Sequence, residues 1–203
     1  PKAPVINKID FDITAAGYNL CIVNTGGNHA DPTPDYAAVP AEMKAVAAAF
    51  GKEVLRGLTE EDILRAVPML RKRSGDRAIL RAKHFFAENA RVDKEVYALE
   101  NKEFGEFKKL VVKSGQSSYM YNQNVFSVKD PISQPVSLGL CLCEEILDGK
   151  GAWRVHGGGF AGTIQAFVPV DMLADFKRRM ELVFGEGNCY VLSIRPVGGV
   201  NVI

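Results

Sequence analysis

Glycines concentrate where this chain could do chemistry. The run His156-Gly157-Gly158-Gly159-Phe160-Ala161-Gly162 lies between an extended piece, Ala152 to Val155, and a β-rich piece, Thr163 to Pro169. A backbone without Cβ atoms can take positive φ and turn its N–H donors toward an anion, or admit another loop at close range. The run therefore points to a phosphorylated ligand, with a glycine-rich hairpin that merely permits close packing as the competing reading. Three known signatures can be checked against it. A Walker loop ends in Lys followed by Ser or Thr, whereas Gly162 is followed by Thr163-Ile164-Gln165. Gly157, Gly159 and Gly162 satisfy the dinucleotide pattern, but that fingerprint must open a helix and Thr163 to Pro169 reads as a strand. His156-Gly157-Gly158-Gly159 also spells an esterase oxyanion loop, which needs a Gly-x-Ser-x-Gly elbow absent from this sequence.

The other reactive side chains are scattered. Cys21, Cys141, Cys143 and Cys189 form no Cys-x-x-Cys pair, and they read as reduced, buried thiols of a cytoplasmic protein. His29, His84 and His156 lack the second histidine one turn away that a helical zinc site requires, so no metal site is expected. His84 and Glu88 lie one turn apart and read as a packed, hydrogen-bonded helix contact. Lysine plus arginine (25) nearly cancel aspartate plus glutamate (24), and this balance argues against nucleic acid or an anionic membrane as partner. Apolar runs fall well short of the roughly 20 residues that span a bilayer. The chain opens on Pro1 and runs directly into PKAPVINKIDFDI, which looks like the interior of a folded unit, so a fragment is expected.

Several elements must position these residues. Tyr18 to Asn24 reads as a buried strand ended by Thr25-Gly26-Gly27. Thr33-Pro34 supplies an N-cap and a first-turn proline for an Ala-rich helix that Gly51 stops; Pro40 is tolerated early in it or marks its true start. A second helix begins at Thr59, with Asp62 completing a weak capping box. Asp76 opens a long helix through Asn101, and another helix from Phe104 stops at Ser114-Gly115. A polar segment, Gln116 to Gln123, leads to a helix over Gln134 to Leu147 ended by Gly149. Strand Ala152–Val155, the glycine loop, strand Thr163–Pro169, helix Asp171–Phe184 and strand Cys189–Ile194 complete the order. This succession predicts an α+β fold, an antiparallel sheet with helices packed on one face.

Three stretches resemble the galactokinases within the GHMP small-molecule kinases: Cys21 to Asp31 with Asp35-Tyr36 after it, Arg81 to Val92, and Gly151 to Gly162. The resemblance covers about residues 10 to 195 and implies a GHMP C-terminal-domain fold with a ferredoxin-like core. It also implies that residues 1–203 form the single C-terminal domain of a two-domain sugar kinase, its N-terminal domain with the ATP phosphate loop and the catalytic aspartate being absent. The full-length enzyme would move the γ-phosphoryl of ATP, with Mg2+, onto the anomeric hydroxyl of galactose. This portion alone would hold neither cofactor tightly and would have no catalytic residue and no turnover. Carried over by position, Tyr36 matches the sugar-contacting tyrosine. Gly157, Gly158, Gly159 and Gly162 match the glycine motif that faces the phosphate loop, and Arg154 matches an arginine that supports it. Ala161 replaces a usual glycine, Ala38-Val39-Pro40 replaces a usual Arg-Arg pair, and Ser114-Gly115-Gln116-Ser117-Ser118 replaces a Ser-His-x-Ser pattern. Partners implied are galactose, the absent N-terminal domain and self-association through the exposed domain face. The alternative is a sugar-binding or regulatory module that kept the fold without the chemistry.

Overall fold

The computed structural model describes residues 6–27, 33–160 and 162–194. Four strands form one antiparallel sheet in the order β2-β3-β1-β4, with β1 at Tyr18–Asn24, β2 at Ala152–Val155, β3 at Thr163–Pro169 and β4 at Cys189–Leu192. Because β3 pairs antiparallel to both β1 and β2, those two run parallel with β3 inserted between them. That is the split βαβ arrangement of ferredoxin-like sheets, as expected.

Alternation decides which residues meet the core. Cys21 and Val23 of β1, Ile164, Ala166 and Val168 of β3, and Cys189 of β4 point to one face. Helices α5 (Pro135–Leu147) and α6 (Leu173–Phe184) cover that face with Val136, Cys143, Ile146, Leu147, Phe176 and Met180. Fully burying side chains such as Phe176 and Ile164 stabilises the fold by about 1.5–3 kcal/mol each. Residues of opposite parity, Tyr18, Leu20, Ala152 and Phe167, meet Phe104, Phe107 and Val111 of α4 (Phe104–Ser117) on the reverse face. Helical cover thus reaches both sides of the sheet.

Helices α1 (Thr33–Ala48), α2 (Glu60–Arg73) and α3 (Asp76–Glu100) build a second core around Val46, Ile63, Leu70, Ile79 and Ala82. The α2 start carries the anticipated capping box: Thr59 Oγ1 accepts from the Asp62 amide at 3.1 Å, and the Thr59 amide donates to Asp62 at 2.8 Å. Pro40 lies inside α1 rather than starting it. A proline there removes the donor that would bond the Tyr36 carbonyl.

Several boundaries differ from the sequence reading, α6 for one starting at Leu173 after a 3-10 turn over Val170–Met172 rather than at Asp171. Gly115 does not stop α4; the helix runs to Ser117 and closes in a π turn over Ser118–Asn122. The reason is steric: a Cβ on Gly115 would lie 2.9 Å from Arg154 Cβ and 3.0 Å from the Trp153 carbonyl oxygen, so glycine lets α4 lie on β2. The last strand ends at Leu192, two residues before Ile194.

Candidate functional site

Site geometry starts from the hairpin between β2 and β3. His156 closes it, its amide donating to the Thr163 carbonyl at 3.0 Å and its Nδ1 lying 3.0 Å from Gln165 Oε1. Inside, Gly157, Gly159 and Gly162 all take positive φ (64°, 83° and 103°), and so does Phe160 at 55°. A left-handed phenylalanine costs about 1–2 kcal/mol, so neighbours must hold it. They do: Phe160 is buried, donates its amide to the Asn124 carbonyl at 2.6 Å, and packs edge-on against Tyr36 with centroids 5.2 Å apart. Ala161 lies outside the described residues, as do Asn28 to Asp31 of the first matched stretch.

Tyr36, in the first turn of α1, reaches the loop across 123 positions of sequence: its hydroxyl donates to the Gly159 carbonyl at 2.6 Å. Its ring lies against Gly158, where a Cβ would come within 2.8 Å of it. The hydroxyl lone pairs and the exposed part of this half-buried ring suit a polar, ring-shaped ligand. Gly157 and Gly158 are exposed, and their amides meet no protein acceptor among the described residues, which leaves two donors suited to an anion. Gly162 has a different task. Its carbonyl accepts from both the amide (2.6 Å) and the hydroxyl (3.0 Å) of Thr25, tying the loop's exit to the end of β1.

Asn124 is the residue that sequence reasoning missed. It receives the Phe160 amide, donates Nδ2 to the Gly158 carbonyl at 3.1 Å, and its own carbonyl occupies the space a Cβ on Gly159 would need. Three consecutive loop residues are thus fixed by one neighbour. Much of that work falls to the backbone carbonyl, which every residue type has; only the run Asn122-Gln123-Asn124 hinted at a polar anchor.

A charged network braces Tyr36 and Asn124 from behind. Arg81, 2 % exposed, pairs with Glu42 of α1 at 2.9 Å and donates Nε to the Asn122 carbonyl at 3.0 Å. Arg77 grips the same Glu42 through Nε at 3.0 Å and Nη2 at 2.5 Å, and the carboxylate raises its pKa. Burial pulls the Arg81 guanidinium down, opposed by Glu42. Asp35, beside Tyr36 and buried, accepts from Ser127 Oγ at 2.6 Å. One arginine therefore links the helix that carries the tyrosine to the turn that carries the loop anchor.

Arg154 acts on the stem rather than the tip. Its Nη1 donates to Ser114 Oγ at 2.6 Å, its Nε to the Val155 carbonyl at 3.1 Å, and Glu88 lies 3.9 Å away. His84 and Glu88 are separate packed contacts: His84 Nδ1 is 2.9 Å from Ser117 Oγ, while Glu88 accepts from Ser114 at 2.6 Å and pairs with Arg91. Burial first, then the charges of Arg154 and Arg91, push the His84 pKa down to about 4. Burial raises the carboxyl of Glu95 in the same region, against those two arginines. Among the described residues no group of three His, Cys, Asp or Glu side chains could hold a metal ion.

The geometry defines a class of fold: an α+β domain with a split βαβ sheet whose β2–β3 hairpin is a glycine loop clamped by a helix-start tyrosine. Comparison narrows it. A galactokinase from Actinobacillus pleuropneumoniae is 28% identical over 178 residues, 86% of this chain and 44% of that relative. A galactokinase from Thermotoga petrophila is 33% identical over 148 residues, 73% of this chain and 38% of the relative. The crystal structure of Lactococcus lactis galactokinase complexed with galactose superposes with a TM-score of 0.63 at 22% identity, over 86% of this chain and 45% of that one. No protein-family model matches. The chain is a homologue of the galactokinases and has the fold of their C-terminal domain. It spans about two-fifths of the length of the curated relatives it matches. No helix among the described residues is long and apolar enough to cross a membrane.

Proposed function

We propose that these residues are the sugar-side half of a galactokinase-type kinase cleft: Tyr36 contacts the sugar and the exposed Gly157 and Gly158 amides face the phosphates. The observation that carries this reading is the bond from the Tyr36 hydroxyl to the Gly159 carbonyl, which joins the two motif pieces across the whole helical insertion. In the protein that contains these residues, the reaction is transfer of the ATP γ-phosphoryl to the anomeric hydroxyl of galactose. MgATP supplies the phosphoryl group and its metal. Free glycine amides fit an anionic phosphate by type and charge, whereas Asp35 is already bonded to Ser127, so no residue here is assigned to the metal.

The chain's own contribution is positioning. Phosphoryl transfer needs two substrates aligned and water excluded more than it needs covalent help. Tyr36, held by Gly159 and Phe160, presents a ring for a pyranose to pack on and an acceptor lone pair for a sugar hydroxyl. Arg154 and Gly162 hold the two ends of the hairpin at a fixed separation. A cytoplasmic setting fits the four free cysteines.

The test has two parts. Residues 1–203 alone, mixed with galactose and MgATP, should release no ADP, and steady turnover would refute the assignment of catalysis to the other half. The protein that contains them should form a sugar 1-phosphate, and Tyr36→Ala should raise KM for the sugar. Binding of galactose without any phosphoryl transfer would replace this reading with a sugar-binding module.

A further inference from the structure

We propose that the cavity between α4, the π turn and α5 binds a small organic ammonium ion with an aromatic body, at a site whose walls include neither Tyr36 nor the glycine loop. The cavity has a volume of about 530 Å3, within the roughly 300–1,000 Å3 range of small-molecule sites. Trp153 of β2 lies on its wall, with Tyr119 and Met120 from the π turn and Leu140 from α5. Tyr119 and Met120 are 39% and 53% exposed, large apolar surface left uncovered beside a tryptophan.

Charge selects the ligand. Glu144 and Asp148 line the cavity, and no lysine, arginine or histidine does. Both stand at the C-terminal end of α5, together with Glu145, and the last turn holds no basic residue. The helix dipole is negative at that end, so carboxylates there repel it and a cation would relieve the repulsion. Among the described residues none of the three carboxylates is in an ion pair. Aromatic side chains and carboxylates outside any ion pair among the described residues line one cavity, and these are the two components that recognise an ammonium group.

The chain supplies its own reporters. Trp153 is its single tryptophan, and Cys141, on the cavity wall, is the one exposed thiol of four. Benzyltrimethylammonium is the probe, with benzyl alcohol as its neutral counterpart and benzoate as its anionic one. Expected are a saturable change in Trp153 emission with a dissociation constant below about 1 mM and slower alkylation of Cys141 by N-ethylmaleimide. Glu144→Gln and Asp148→Asn should each weaken binding about threefold, and added salt should weaken it further. Both substitutions are on exposed side chains, and thermal melts of the variants establish that they fold. An equal response to benzyl alcohol or benzoate, no saturable response, or unchanged affinity in the folded variants would overturn the proposal. Neither readout involves kinase turnover, so failure here leaves the sugar-kinase reading standing, and the reverse.

Discussion

Replacing Gly159 with alanine should be the most damaging single change in the glycine loop, and the reasons add. At φ 83° an alanine pays about 1–2 kcal/mol for the left-handed region. Its Cβ would also overlap the Asn124 carbonyl oxygen, a backbone atom that cannot swing away, and overpacking of this kind costs about 1–3 kcal/mol more. Gly157 separates the two effects. It has positive φ, 64°, but nothing lies within 4 Å of the position a methyl would take, so Gly157→Ala should lose only the first contribution. With a shift of about 2–4 °C per kcal/mol for a chain of this size, Gly157→Ala should melt about 4 °C lower and Gly159→Ala about 10 °C lower than the parent. If the loop instead detaches locally, the global melt changes less, and the Phe160 amide, bonded to Asn124 at 2.6 Å, exchanges with solvent deuterium much faster. Circular-dichroism melts and hydrogen exchange on the three proteins decide it. Should Gly159→Ala melt with Gly157→Ala while its Phe160 amide stays protected, the close approach of Asn124 is not what fixes this loop.

Other outcomes follow from neighbouring geometry. His84 has a folded pKa of about 4 against an ordinary 6.5, so the unfolded chain binds the proton more readily and stability falls as pH drops from 6.5 through 4. The loss is on the order of 3 kcal/mol, with the raised Glu95 carboxyl opposing it; urea titrations should show this slope flattened in His84→Gln. Gly115→Ala should destabilise by about 1–3 kcal/mol, because its Cβ would meet the β2 backbone at 3.0–3.1 Å; an unchanged melt would contradict the α4–β2 approach. Under native conditions one thiol, Cys141, should react with Ellman's reagent and the other three only on unfolding, since burial raises the Cys143 thiol and Cys21 and Cys189 lie in the core. Asn124→Ala keeps the carbonyl that bonds Phe160 but removes the Nδ2 bond to Gly158; it should cost about 1 kcal/mol, well under Gly159→Ala in the same melts.

What could be read from residue order depended on whether a residue's reason for being there was local. The apolar run Tyr18–Asn24, the Thr59–Asp62 capping box and the proline that opens α5 are decided within a few residues, and all three stand where the sequence put them. The thiols divide for the opposite reason: Cys141 and Cys143 sit two apart on one helix, and only the position of the sheet makes one exposed and the other buried. Tyr36 was reachable only through family likeness, because nothing in Asp35-Tyr36-Ala37 states that a loop 123 residues later will accept its proton. Glycine shows the limit most sharply. Gly157 is there for its φ, Gly115 and Gly151 for the missing Cβ against β2, Leu147 and the Phe167 carbonyl, and Gly159 for both. A sequence writes these with one letter, so Gly115 reads as a helix stop when it is a contact surface. In the loop the two demands coincide only at Gly159, with Gly157 placed for its φ and Gly158 for the Tyr36 ring, so the letters alone left a phosphate site and a close-packed hairpin as competing readings.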